Sequence, residues 1–496
     1  MNRQIIRLSG IAMLLLAVLV GATTYWQTWA KGALAERQDN AIQRVAQFTI
    51  ERGAIRADGK LLAANRTQEL DGRTLYFRRY PHGPLTAHVV GYSTASRART
   101  GLESSLNDFL TASNERLSTI VDNSLDQLRG RPIEGNNVQL TLDLNAQQVA
   151  LDALGTKCGA VVALDPRTGA VKVLVSAPSF DPNLVEKDYA AIGKITADCS
   201  PAAPLIDRAT AGLYPPGSTF KVVTAAAALE SKKFTPDSVF EDPGYCVEYG
   251  KQVHNFADQN GPEVFGRIIL SDGFIHSVNS VFCNIGKALG AKVILNQAKR
   301  FGFYQPPPLE TPLDERRASG LYDRHRLYYP ERDQDVDPGR LAFGQERMLV
   351  TPLQMAMVAA TIGNGGLEMQ PYVVSRITSP TGHTIEQTKP RSLGRPVSKD
   401  VATEIGQMML GVVERGTGTA ATIPGLTVAG KTGTAETGIT GRNTTWFICY
   451  AGPNDGSPPK IAVAVVLEGQ TLTGGATAAP IARQVVQALL TPTPNS

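Results

Sequence analysis

From Leu8 to Ala30 the chain runs for 23 residues without a charged side chain, and its centre, Ile11 to Ala22, reads IAMLLLAVLVGA. A water-soluble fold cannot leave such a segment exposed. At about 1.5 Å per residue, roughly 20 residues cross the hydrocarbon core of a bilayer as a helix. Arg3 and Arg7 precede the run, which favours a cytoplasmic N-terminus, and Tyr25, Trp26 and Trp29 sit where an interfacial aromatic belt belongs. A cleaved signal peptide is the competing reading, with a small-residue site near Val20-Gly21-Ala22. The run is long for that purpose and bulky residues come closely after it, so a retained anchor is the better expectation. Either way, the chain beyond Lys31 is expected outside the cytoplasm.

The remainder resembles neither a polytopic membrane protein nor a disordered chain. Of 496 residues 42% are hydrophobic and 19% charged, which supports a buried core and predicts about three segments. A net charge of +4, with no basic stripe, gives no footing for nucleic acid. The mixed-sign stretch Asp314 to Arg340 reads as a solvated loop. Five scattered cysteines (158, 199, 246, 283, 449) form no CxxC pair, so a zinc site is not expected. They permit a bridge between Cys246 and Cys283, on either side of Ser277-Val278-Asn279.

Residues 31–140 hold short strand-like pieces such as Thr74 to Phe77. From about 137 the pattern changes: a strand at Val138 to Leu142, a helix at Asn145 to Leu154, then two apolar runs, 159–164 and 170–175, around an Asp165-Pro-Arg-Thr-Gly169 turn. Helices are expected at 218–230, 281–300, 352–363 and 401–415, strands at 426–434, 444–451 and 460–468, and an amphipathic end at Pro480 to Leu490. Strands, then helices, then strands predict an α+β fold in which the early hairpin completes a late antiparallel sheet.

Three short motifs carry chemistry. In Pro215-Pro216-Gly217-Ser218-Thr219-Phe220-Lys221 the prolines mark a helix start. Ser218 and Lys221 then share a helix face, so a lysine of lowered pKa can serve a serine nucleophile as base. Ser277-Val278-Asn279 places a hydroxyl and an amide two residues apart, and Lys431-Thr432-Gly433-Thr434 ends a strand-like run. Singly these are weak; Ser457-Pro-Pro-Lys460 repeats the first pattern and Ser105-Leu-Asn107 the second. Their order is specific, with 59 residues from Ser218 to Ser277 and 154 from there to Lys431. A rival reading exists, because Gly425 to Thr432 fits the phosphate-loop pattern GxxxxGK[ST] of an ATPase. That loop must open a helix, whereas TGTAETGITGR after Lys431 is too rich in Gly and Thr. Gly416 to Ala421 resembles a dinucleotide turn but comes after a helix, and reads as its end. The six histidines show no ligand spacing; His276 beside Ser277 is taken as structural.

The ordered set resembles that of penicillin-recognising serine enzymes, and among them class B penicillin-binding proteins, in particular an actinobacterial type. Arg52-Gly-Ala-Ile55, Asp58-Gly-Lys-Leu-Leu-Ala63 and Gly101-Leu-Glu103 are similar to that class's pedestal motifs. Asp143-Leu-Asn145 with Gln147, Tyr214-Pro-Pro-Gly217, Gly344-Gln345 and Thr351-Pro-Leu-Gln-Met-Ala356 are similar to positions of its transpeptidase domain. Glu346 stands where glycine is common, and the 314–340 stretch has no counterpart. The resemblance implies a penicillin-binding transpeptidase fold, an antiparallel sheet with helices on both sides. It implies an anchor (1–30), an elongated pedestal of the dimerisation type (31–140), a transpeptidase domain (141–490) and a tail (491–496).

The resemblance also implies a D,D-transpeptidase of peptidoglycan synthesis, single-pass in the bacterial plasma membrane, that needs no cofactor or metal. Ser218 would attack the D-Ala-D-Ala of a stem peptide, with Lys221 as base. Ser277 would relay a proton, and Asn279 would bond Lys221 and substrate. Lys431, Thr432, Gly433 and Thr434 would bind the substrate carboxylate, or that of a β-lactam. N–H groups of Ser218 and Thr434 would form the oxyanion hole. The 110 residues of 31–140 are too few for a glycosyltransferase, which implies a membrane-embedded polymerase of the SEDS family as partner. A β-lactamase or D,D-carboxypeptidase, or an inactive β-lactam-sensing scaffold, would carry the same motifs.

Overall fold

The computed structural model describes residues 2–28, 48–70, 72–95, 97–113, 133–258, 261–438 and 441–491. Trp29 and the tail beyond 491 lie outside them, as do parts of 31–140. The N-terminal run forms one helix, Asn2–Thr28. Within it Ile6–Tyr25 is long and apolar enough to cross a membrane, and none of it packs against the rest of the chain.

Five antiparallel strands make the central sheet, in the order Leu426–Glu436, Asn443–Pro453, Ile461–Gln470, Gly159–Leu164, Val171–Ala177. The expected early hairpin thus closes the late sheet, with Val463 opposite Ala163. Both faces of the inner strands are buried, so they read as continuous Ala/Val/Ile runs rather than alternating ones. The two faces still sort with period two. Val162, Ala464, Val466, Trp446 and Ile448 pack with Leu353, Val358 and Ile405 of helices Pro352–Gly363 and Lys399–Arg415. Val161, Ala163, Val463, Val465 and Phe447 pack with Ala150, Ala482 and Val485 of helices Leu144–Leu154 and Gly474–Leu490. Each fully buried Val or Ile contributes about 1.5–3 kcal/mol relative to exposure. At the hairpin turn, Gly169 has φ 83° and a Cβ there would lie 2.0 Å from the Gln370 carbonyl oxygen.

A second, six-stranded sheet draws on both sides of residue 140. Strands Ile55–Ala57, Lys60–Leu70, Arg73–Arg79 and Asn137–Leu140 are joined by Val374–Thr378 and Thr384–Gln387. Beside it Glu103 accepts from Arg52 Nη2 (2.8 Å) and Arg78 Nε (2.6 Å) with all three side chains buried. Burial alone would raise the Glu103 carboxyl, yet Arg78 and Arg52 together hold it below its usual range.

Several local expectations change. The single helix expected over 281–300 is two, Asn279–Leu289 and Ala291–Arg300, broken at Gly290 with φ 82°. The C-terminal helix begins at Gly474 and carries Pro480 inside it. The stretch from Asp314 to Arg340 is not merely a solvated loop. It includes strand Gly320–Asp323, and Ser319 and Leu321 are fully buried. Cys246 pairs with Cys283 as the sequence permits, Cys158 pairs with Cys199, and Cys449 is free and buried.

Candidate active site

Ser218 lies on a tight 3-10 turn, Gly217–Phe220, that feeds the helix Lys221–Glu230. The expected helix start is right, but its first turn is tighter than an α-helix. Gly217 must be glycine: its φ is 51°, and an added Cβ would sit 3.0 Å from the Thr434 carbonyl oxygen. Its N–H donates to Gly344 O (3.2 Å), and Trp446 Nε1 donates to Pro215 O (3.0 Å). The Ser218 turn is therefore clamped against the central sheet on one side and the Gly344-Gln345 segment on the other. Ser218 itself is partly exposed.

Lys221 is fully buried at the first position of its helix. Its Nζ donates to Ser277 O (2.5 Å), Asn279 Oδ1 (2.9 Å) and Ser277 Oγ (3.3 Å). No carboxylate is among these partners, so no opposite charge offsets desolvation of the charged form. Burial, and then the neighbouring Lys431 charge, push the Lys221 amine well below its usual range.

Ser277 adopts φ 62°, a left-handed conformation costly for a residue with a Cβ. It lies between helices Leu270–Ile275 and Asn279–Leu289. That kink turns both its carbonyl and its hydroxyl to Lys221. Asn279 opens the second of these helices, and its Nδ2 donates to His254 O (3.0 Å).

The third motif occupies strand Leu426–Glu436, at the edge of the central sheet. Lys431 is fully buried in mid-strand, and its Nζ donates to Ser277 Oγ (2.8 Å) and Thr432 O (3.3 Å). Desolvation pulls its amine down to about 7. Because the strand continues to Glu436, the Gly430-Lys431-Thr432 segment opens no helix, which removes the phosphate-loop geometry. A Cβ on Gly433 would lie 2.9 Å from Pro216 O, so only glycine lets the strand lie against the Ser218 turn. Thr434 O faces Gly217, and the N–H and C=O of one strand residue point the same way. The Thr434 N–H therefore points off the sheet edge toward the Ser218 turn. The Thr434 hydroxyl accepts from Gly474 N (3.2 Å), leaving its own proton to donate.

Two amines thus meet at one hydroxyl, Ser277 Oγ, beside the Ser218 turn. The decoy motifs lie elsewhere: Ser457 is exposed in the loop between two sheet strands, and Asn107 accepts from Arg52 Nη1 (2.9 Å). Sequence reading missed Thr417, whose hydroxyl lies 2.6 Å from that of Thr432. The Gly-Thr-Gly around it marks a helix end correctly but gives no hint of its neighbour. Cys158, Cys199 and Glu468 group closely enough to suggest a metal. The two sulfurs are spent in a disulfide, and Glu468 Oε1 accepts from Arg208 Nε and the Tyr214 hydroxyl (both 2.8 Å).

Comparisons agree with this geometry. Residues 159–487 match the penicillin binding protein transpeptidase domain, and residues 52–138 the penicillin binding protein A dimerisation domain. A peptidoglycan D,D-transpeptidase PbpA of Mycolicibacterium smegmatis is 36% identical, with 99% of each chain covered. One of Mycobacterium tuberculosis is 35% identical at the same coverage. Among solved structures, a ceftriaxone acyl-enzyme complex of penicillin-binding protein A from M. tuberculosis superposes with TM-score 0.78 at 33% identity, covering 90% of this chain and 99% of that one. Its penicillin G acyl-enzyme complex gives 0.76 at 33%, covering 88% and 99%. With the sheet, the Ser218 turn and the paired lysines in place, the chain belongs to the penicillin-binding protein transpeptidase family, and its fold is the α+β fold of that family.

Proposed function

We propose that this chain is a serine-type peptidoglycan D,D-transpeptidase, and that β-lactams acylate it at Ser218. The observation that carries the reading is the convergence of Lys221 and Lys431 on Ser277 Oγ beside a clamped serine turn. An uncharged Lys221 takes the Ser218 proton as Oγ attacks the D-Ala-D-Ala carbonyl. The N–H groups of Ser218 and Thr434 stabilise the oxyanion, usually among the larger catalytic contributions. As the C–N bond breaks, Ser277 passes a proton to the departing D-Ala amine, resupplied by the lysines at its hydroxyl. Protonated Lys431 holds the substrate carboxylate, with the Thr434 proton as a second donor and Thr432 held in place by Thr417. An amine of a second stem peptide then attacks the acyl-enzyme, forming the cross-link and freeing Ser218.

The same reading assigns helix Ile6–Tyr25 as a plasma-membrane anchor with the catalytic part outside the cytoplasm. Residues 31–140 are the pedestal and 141–490 the transpeptidase domain. A membrane-embedded SEDS-family polymerase supplies the glycan strands that this chain does not make. The test is mass spectrometry of the Ser218 peptide after penicillin treatment. One adduct per chain is expected, absent in Ser218→Ala; an adduct on another residue, or none, would overturn the assignment.

A further inference from the structure

Behind Asn279 lies a buried polar hub that the proposed acyl-transfer chemistry does not use. Asp242 is 1% exposed and Asn255 4%. The Asp242 carboxylate accepts from Ser280 Oγ (2.5 Å), Gly244 N (2.9 Å), Phe265 N (2.9 Å) and Asn255 Nδ2 (3.0 and 2.9 Å to its two oxygens). Asn255 Oδ1 in turn accepts from Ser280 N (3.0 Å), and Asn255 Nδ2 also reaches Glu263 O (2.9 Å). Two adjacent residues of one segment therefore hold two adjacent residues of another. His254 O takes Asn279 Nδ2 while Asn255 takes Ser280 N. One helical turn further on, the Cys246–Cys283 disulfide ties the same helix to strand Tyr245–Glu248, which pairs with the strand ending at His254.

Asn279 cannot orient itself. Its Oδ1 faces Lys221 only while its Nδ2 finds the His254 carbonyl, and that carbonyl is fixed by the residue after it. We infer that Asp242 and Asn255 are positioning residues for acylation, locking the Ser277-Val-Asn279 motif so that Asn279 and Ser277 hold the Lys221 amine in register with Ser218. Neither touches the reacting atoms; both act through Asn279. The inference rests on the proposed transpeptidase reading.

A buried hub of this kind also stabilises the fold, so the test separates stability from rate. Full-length protein in detergent is mixed with a chromogenic β-lactam under stopped flow, which yields the initial dissociation constant and the limiting acylation rate separately. Asn255→Ala is expected to lower the limiting rate by about 100-fold, the scale of an ångström-sized misplacement, with the dissociation constant within about twofold. Asn255→Asp sets two carboxylates together and loses rate similarly. Val463→Ala in the remote sheet core supplies a stability control, expected to lower the melting temperature while keeping the rate. If Asn255→Ala does not fold, the near-isosteric Asp242→Asn alone is measured, with the same expected split. An unchanged limiting rate, or a loss confined to binding, would overturn the positioning role. Absence of acylation in the unmodified protein would instead overturn the transpeptidase reading.

Discussion

Replacing Lys431 by methionine should remove activity yet make the protein more stable below neutral pH. The Lys431 amine is fully buried, donates to two neutral oxygens, and loses its proton near 7 instead of the ordinary 10.5. At 1.36 kcal/mol per pH unit, holding it charged in the fold costs roughly 3–6 kcal/mol. The sign comes from proton counts. Between about 7 and 10.5 the unfolded chain binds more protons than the folded one, so wild-type stability climbs with pH across that window. Methionine carries no such dependence. It forfeits two hydrogen bonds, about 1 kcal/mol each, and the neighbouring Lys221 loses a repulsive charge. Lys431→Met is therefore expected to gain about 1–4 kcal/mol near pH 6 and to be about 1–2 kcal/mol less stable near pH 10.5. Urea unfolding of the detergent-solubilised chain at both pH values reads the difference, with fluorescent penicillin reporting the lost acylation. A gap of constant size and sign across that range would refute the reasoning.

The limiting acylation rate should trace a bell against pH. It rises as Lys221, held well below its usual range, loses its proton, and falls above about 7 as Lys431 loses its own; a flat profile through neutrality would contradict these roles. Gly433→Ala forces a Cβ to within 2.9 Å of Pro216 O and 3.0 Å of Thr219 Cγ2. Displacing the nucleophile turn should cut β-lactam acylation by about 100-fold, measured by stopped flow, with full occupancy still reached at long times. Thr417→Val leaves the buried Thr432 hydroxyl without its 2.6 Å partner, a cost of about 1–3 kcal/mol. It should weaken the initial binding constant more than the acylation rate.

What could be read from the residues alone divides along a physical line. Strands such as Ile461–Gln470 and the motif lysines were legible because burial on both faces demands Ala, Val and Ile, and the chemistry demands a serine near a lysine. The helix start at the Ser218 turn was legible through Pro215-Pro216-Gly217, whose backbone restrictions are local. The left-handed backbone of Ser277 was not, since nothing in its side chain favours φ 62° and the conformation is imposed by the elements around it. Nor were Thr417, Asp242 or Asn255. Each is an ordinary polar residue in a loop or at a strand end, and its importance comes from a partner far away in sequence. Gly290 breaks a helix that periodicity alone would continue. The solvated reading of 314–340 counted charges and overlooked that Leu321 and Val336 carry the segment into the core.

The central claim is acyl transfer through Ser218 to an amine. It is tested most directly by incubating the full-length chain with a synthetic stem pentapeptide ending in D-Ala-D-Ala and an amine acceptor, and tracking both products by mass spectrometry. One new amide per D-Ala released is expected from the unmodified protein, and neither product from Ser218→Ala. Release of D-Ala without amide formation would mark a hydrolase, and a β-lactam adduct on Ser218 with no D-Ala released would mark a sensing scaffold; either result would contradict the account.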